Sequence, residues 1–283
     1  MPAAILFILI WASAFTAAAV VLREWPPFWA LGLRFAVAAP ILLAIVAWRS
    51  APWPGAADWP RIGAMGALGV AGYLGFSWLA MALVPSGLVA LIAATAPLFV
   101  ALGERFLRGR HMQPMAWVGL GLGWAGVAVL GGVRAADGLA GAEALGLAFA
   151  LAGAACQAAG ILIFAPARGR VDPWAANAVQ TIVSAVVLLP MALVLEGAPP
   201  AMPGPATLAG LLYSVVVVGV AGYALWFLML RRLPAATAAA LQLLAPPLAA
   251  VFGWALLSER LGVADLVGGT VTLVGLLLLF RAR

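Results

Sequence analysis

A chain of 283 residues that is 66% hydrophobic and only 8% charged lies outside the range of soluble domains. Its net charge of +6 would raise nucleic acid as a partner in a soluble protein. Here the cations stand at the ends of long apolar runs, which excludes that reading and implies a lipid bilayer as partner.

A membrane-spanning helix needs about 20 apolar residues. Ten stretches meet that need: 3–22, 28–48, 61–83, 86–106, 113–132, 142–164, 173–195, 206–230, 235–257 and 263–280. The connections between them are short. The sequence predicts an all-α polytopic membrane protein with ten transmembrane helices, in the cell inner membrane. No basic segment precedes the first stretch, and it is too long for a signal-peptide core, so it counts as a span. The lone Cys156 lies in an apolar run and excludes an intramolecular disulfide.

All the basic residues are Arg. With the N-terminus in the cytoplasm, the inner side collects Arg49, Arg61, Arg105, Arg108, Arg110, Arg168, Arg170, Arg231, Arg232, Arg281 and Arg283. The outer side holds Arg23, Arg134 and Arg260. That imbalance predicts cytoplasmic placement of both termini.

The pentapeptide GVAGY occurs at 69–73 and again at 219–223. From Pro85 and Pro234 onward a constant offset pairs Pro97 with Pro246, Gly119 with Gly268 and Gly126 with Gly275. Upstream, Trp11 pairs with Gln157, Pro27 with Pro173 and Arg34 with Gln180. The repeat covers nearly the whole chain. It divides into a first half at 1–132, an external linker at 133–141 and a second half at 142–283. Five spans per half is an odd number, so the second half enters the membrane inverted. The charges agree: the Arg105–Arg110 link and its partner around Glu259 and Arg260 face opposite leaflets. Two five-helix inverted-topology repeats are a common secondary-transporter design.

Several stretches resemble the drug/metabolite transporter superfamily, and within it the ten-helix EamA family. They are Trp11 with Phe15, PPFWALGLRF at 26–35, AGYALW at 221–226, the Pro246–Pro247 helix and LLSERLGVADLVGGTVTLVG at 256–275. The resemblance implies export of amino acids, other small metabolites or toxic compounds; members include exporters of aromatic amino acids, cysteine and threonine. One position departs from symmetry: the partner of Glu259 is Arg110, so a gate of matched acids does not carry over.

Polar and aromatic residues inside spans mark a substrate path. Arg34 lies about 10 Å inside its helix. It either holds a substrate carboxylate or ties helices around a cavity, or its stem snorkels to the headgroups. Its mate Gln180, with Asn177 one turn earlier, puts that face of both helices inward. Tyr73 with Phe76 and Tyr223 with Trp226 share helix faces at a spacing of three. They compose either an aromatic cavity or ordinary packing. Trp11, Phe15 and Gln157 extend the pattern, and Trp78 and Gln242 are weaker additions. Trp25, Trp29, Trp48, Trp53 and Trp59 cluster at span ends and read as interfacial anchors.

Pro97 and Pro246, inside paired spans, are candidate gate hinges or static bends. Glycines 119, 123 and 126 of the fifth span, and 268, 269 and 275 of the tenth, form close-packing faces within the bundle or for a homodimer. No Asp, Glu, Lys or His stands near the centre of a span, which favours facilitated transport or exchange over obligate proton coupling. There is no P-loop, no nucleophile–base pair and no metal-ligand cluster, so the sequence predicts no enzyme, metal or cofactor. The expected activity is export of amino acids, aromatic or hydrophobic ones above all, by alternating access. A proton-coupled exporter of toxic compounds and a gated pore are the alternatives.

Overall fold

Proline begins much of this architecture, because it lacks an N–H and the first turn of a helix leaves its N–H groups unpaired. The computed structural model describes residues 2–109, 111–136, 141–223, 225, 244–259 and 261–282. Its helices are α1 Pro2–Val21, α2 Pro27–Trp48, α3 Trp59–Met81, α4 Ser86–Arg108 and α5 Pro114–Ala136 in the first half. The second half has α6 Ala142–Phe164, α7 Pro173–Leu195, α8 Pro205–Gly222, α9 Ala245–Leu257 and α10 Val263–Arg281.

Eight of these are long and apolar enough to cross a membrane; α5 is as long as several of them, at 23 residues, and α9 is shorter, at 13. Large apolar side chains such as Val37, Val186, Val194, Val251 and Leu266 remain exposed. A helix satisfies its own backbone, so these faces suit lipid contact.

The two helices beginning at paired prolines, α2 and α7, pack antiparallel. At one end the Phe28 and Trp29 N–H groups each donate to Glu196 at 2.9 Å. A carboxylate there meets unpaired donors and the positive end of the helix dipole. At the other end Arg49 stands over the Trp174 ring, 5.7 Å from its centre. Asp172 caps α7 by accepting from Trp174 N–H at 2.8 Å and Ala175 N–H at 3.2 Å.

The Glu196 end carries two more such links between the halves. Glu259 accepts from Ser86 N–H and Oγ–H, each at 3.0 Å, and from Gly87 N–H at 3.3 Å. Glu24 accepts from Gly204 N–H, at the start of α8, at 2.8 Å. Each glutamate therefore caps a helix of the other half. At the opposite end the α2–α3 and α6–α7 connections join through Asp58 and Arg170, 2.5 Å apart, with Arg61 at 3.0 Å. Hydrogen bonding from Arg170, and less so from Arg61, holds the Asp58 carboxyl below the usual range, while Asp58 raises Arg170.

The glycines of α5 and α10 meet inside the chain. A Cβ on Gly119 would lie 2.6 Å from Gly275 O, and one on Gly126 2.5 Å from Gly268 O. These two contacts are mates under the repeat. Thr272 Oγ1 donates to Gly123 O at 3.4 Å, joining a residue to its own mate. Gly269 instead faces Leu91. This intramolecular contact occupies the glycine faces that a homodimer through the fifth and tenth spans would have used.

Trp48, Trp53 and Trp59 are exposed, as anchors should be, whereas Trp25 and Trp29 are buried. Their indole N–H groups donate to Ala201 O and Gly197 O, each at 3.2 Å. They fasten the α7–α8 connection to α2, which corrects their reading as lipid anchors.

Candidate functional site

The repeated pentapeptide takes a wider form than an α-helix. Residues Met65–Gly72 of α3 and Tyr213–Gly222 of α8 are π-helical, and Tyr73 N–H reaches back five residues to Leu68 O. Such segments gather at functional sites. Each ends on the glycine preceding a tyrosine, Tyr73 or Tyr223.

Those tyrosines line one cavity of about 110 Å³ between the two halves. Helix α1 contributes Trp11 and Phe15, α2 Arg34, α3 Tyr73 and Trp78, α6 Gln157 and α8 Tyr223. Seven of the twelve cavity candidates thus meet in one place. Trp11 and Tyr223 form an edge-on pair with centroids 5.8 Å apart. Their mates Gln157 and Tyr73 line the same cavity, so the repeat brings corresponding residues to it from both sides.

Arg34 is 9% exposed, which rules out the snorkelling alternative. Its guanidinium carbon lies 5.4 Å from the Phe35 ring centre. Among the described residues no hydrogen bond or ion pair reaches this guanidinium. A buried cation without a counter-ion is costly in an apolar setting, and Arg34 faces space where a ligand would supply one.

Ser77 also lines the cavity, and its buried hydroxyl has no hydrogen-bond partner among the described residues. Sequence reasoning missed it, although it lies one helical turn after Tyr73. Met65 and Met81 belong to the same lining stripe; their spacings of eight on either side of Tyr73 were a second available signal.

Three candidates lie elsewhere. Phe76 turns toward α6 and stacks on Phe149 at 6.0 Å, because the cavity stripe of this part of α3 runs through 73, 74, 77, 78 and 81, on the other side of Tyr73. Asn177 and Gln180 do not line the cavity. Gln180 Nε2 donates to Asn177 Oδ1 at 2.8 Å. A Cβ on Gly66 would lie 2.8 Å from Gln180 O, so the α3 backbone occupies the space this turn of α7 would need to open inward. The expectation of an inward face shared by Arg34 and Gln180 is corrected to Arg34 alone. Trp226 and Gln242 lie outside the described residues. Pro97 stands in the first turn of the segment Ala96–Arg108, after a break at Ala94 and Thr95, and Pro246 in the first turn of α9.

A larger lateral groove of about 430 Å³ lies between α9 and α10. Its walls include the exposed Val251, Trp254 and Leu266. The Asp265 carboxylate at its edge accepts from Gly262 N–H at 2.8 Å and so caps α10. Among the described residues no cluster of three His, Cys, Asp or Glu side chains could hold a metal.

A helical membrane bundle with an internal cavity reached from both halves is the architecture of a transporter. The chain belongs to the EamA-like transporter family, whose model matches residues 1–132 and 144–281. It is similar to an uncharacterized transporter of Archaeoglobus fulgidus, 26% identical over 96% of this chain and 94% of that one. It is also similar to the uncharacterized inner membrane transporter YedA of Escherichia coli, 32% identical over 43% of this chain and 40% of that one. A protein known from a crystal structure shares the fold, with a TM-score of 0.67 and 22% identity over 99% of this chain and 97% of that one. The protein is therefore a multi-pass inner-membrane transporter and not an enzyme.

Proposed function

We propose that the protein exports small metabolites bearing a carboxylate and an apolar body, hydrophobic or aromatic amino acids among them, by alternating access. The observation that carries this reading is Arg34: a buried cation without a counter-ion among the described residues, set among Trp11, Tyr73, Trp78 and Tyr223. The guanidinium offers a planar fork of donors to a carboxylate. The aromatic walls take the body by stacking and burial.

The two halves, 1–132 and 142–283, are the gating units on this reading, related as inverted repeats with both termini cytoplasmic and 133–141 external. Pro97 and Pro246, each in the first turn of a helical segment, are the bending points. Among the described residues no acid lines the cavity, so on this reading the cycle runs by facilitated transport or exchange.

The test is uptake of labelled Trp, Phe, Met, Thr and Cys into proteoliposomes, with and without a pH gradient. Saturable uptake with counterflow, indifferent to the gradient and at least about tenfold weaker for Arg34→Gln, is the expected result. Uptake that requires the gradient would replace facilitated transport with proton coupling. Absence of uptake for all five would remove the amino-acid claim.

A further inference from the structure

The charge census of the cavity sharpens its occupant. Among the described residues that line the cavity, Arg34 is the one charged side chain. Each acid among the described residues lies near a helix end or in a connection. Glu24, Glu196 and Glu259 cap helices of the opposite half, Asp172 and Asp265 cap their own, and Asp58 pairs with Arg170. The sequence from 198 to 258 contains no acid at all. No part of that stretch, inside or outside the described residues, therefore brings a carboxylate to Arg34.

We infer that the preferred occupant is a singly charged organic anion with a flat apolar body, a monocarboxylate without an ammonium group. This rests on the reading of the Arg34 cavity as the transport site. A carboxylate neutralises the guanidinium and restores the hydrogen bonds that burial withholds from it. An α-amino acid brings the same carboxylate but adds an ammonium that must leave water. The polar groups on the cavity wall are neutral: Ser77 Oγ, the Gln157 amide and the hydroxyls of Tyr73 and Tyr223. They replace hydration without offsetting the charge, and Arg34 repels it. An organic amine lacking the carboxylate has only the repulsion. The expected order is monocarboxylate, then zwitterion, then cation, with the first step worth roughly ten- to hundredfold in affinity.

The charge balance also sets the electrical character of the cycle. Loaded with a monoanion, the cavity is neutral; empty, it carries the charge of Arg34. Net transfer of a monoanion therefore moves one charge across the membrane per turnover, while net transfer of a zwitterion moves none.

Phenylacetate, phenylalanine and phenethylamine share a benzyl body and carry different charged groups, and phenylmethanesulfonate adds an anion that does not leak as a neutral acid. Their affinities for the purified full-length protein are measured by quenching of intrinsic tryptophan fluorescence, Trp11 and Trp78 being in the cavity wall. Sulfonate uptake into proteoliposomes is then driven by a potassium diffusion potential. The inference expects both anions to bind at least tenfold tighter than phenylalanine, uptake of the sulfonate to follow the potential, and the anion preference to vanish in Arg34→Gln but persist in part in Arg34→Lys. Phenylalanine binding as tightly as phenylacetate, with the Arg34→Gln loss intact, would overturn the monoanion preference and leave the carboxylate site standing. Binding of phenethylamine as tight as either anion, or binding of all four unaffected by both Arg34 variants, would overturn the inference and the proposed site together. The ranking in the unmodified protein decides the question even where Arg34→Gln does not fold.

Discussion

Single atoms decide how closely the α5 and α10 helices approach. Gly275 lies against the Gly123 backbone, with Gly119 O also within 2.6 Å of a Cβ built on it. Backbone cannot move aside as a flexible side chain can. Gly275→Ala should cost about 1–3 kcal/mol by overpacking, visible as a lower melting temperature in detergent. Gly121 has open space around it, so Gly121→Ala should leave that temperature unchanged or raise it, since Gly weakens a helix interior. Equal loss from both substitutions would show that the glycine contact has no special weight. Phe76 offers a complementary residue-level test. Because it stacks on Phe149 outside the cavity, Phe76→Ala should lower stability by about 3 kcal/mol while leaving substrate affinity intact in the protein that remains folded.

Among the elements, α2 is the one that holds the site, since it carries Arg34 and its first turn is fastened by Glu196. Glu196→Gln keeps the shape and removes the charge. It should cost about 1–2 kcal/mol through the lost charge-assisted bonds and dipole contact, read by thermal unfolding. The α2–α3 connection supplies a pH-dependent element. Arg170 and Arg61 hold the Asp58 carboxyl below its ordinary range. The pair therefore stabilises the fold at neutral pH, and that contribution is lost as pH falls through the lowered value, below about pH 4. Unfolding curves of Asp58→Asn should lose this part of the acid dependence. An unchanged acid profile would mean the ion pair contributes nothing there.

At the scale of the molecule, one end is held shut by three glutamates, each reaching across to the opposite half. The alternating access proposed above requires that end to open. A Cβ on Gly87 would lie 3.3 Å from the Ala250 Cβ, close to disulfide range, and these residues join α4 to α9. In a Cys156→Ala background, oxidised Gly87→Cys with Ala250→Cys should stop transport, and reduction should restore it. Full transport with the bridge formed would show that α4 and α9 stay together through the cycle.

Composition, run length and the repeat carried much of this protein's description, because a bilayer imposes simple rules. Apolar runs of about 20 residues must be helices there, and the helices lie where those runs are. The GVAGY repeat was equally legible, and with it the expectation that corresponding residues meet. The cavity obeyed that expectation at Trp11, Gln157, Tyr73 and Tyr223. Side-chain direction was another matter. Tyr73 and Phe76 share a helix face loosely, yet only Tyr73 lines the cavity. A spacing of three leaves Phe76 about 60° to one side of Tyr73, while Leu74, Ser77, Trp78 and Met81 line the cavity from the other side. Gln180 is the repeat mate of Arg34, but the close approach of Gly66 filled its inward space. Trp25 and Trp29 had the positions of lipid anchors and became internal fasteners, because a loop folded over them. The sequence by itself determined the class of protein, its helices and its internal pairing. Only tertiary packing decided which faces look at the substrate, which at lipid and which at one another, since those choices depend on contacts between residues far apart in the chain.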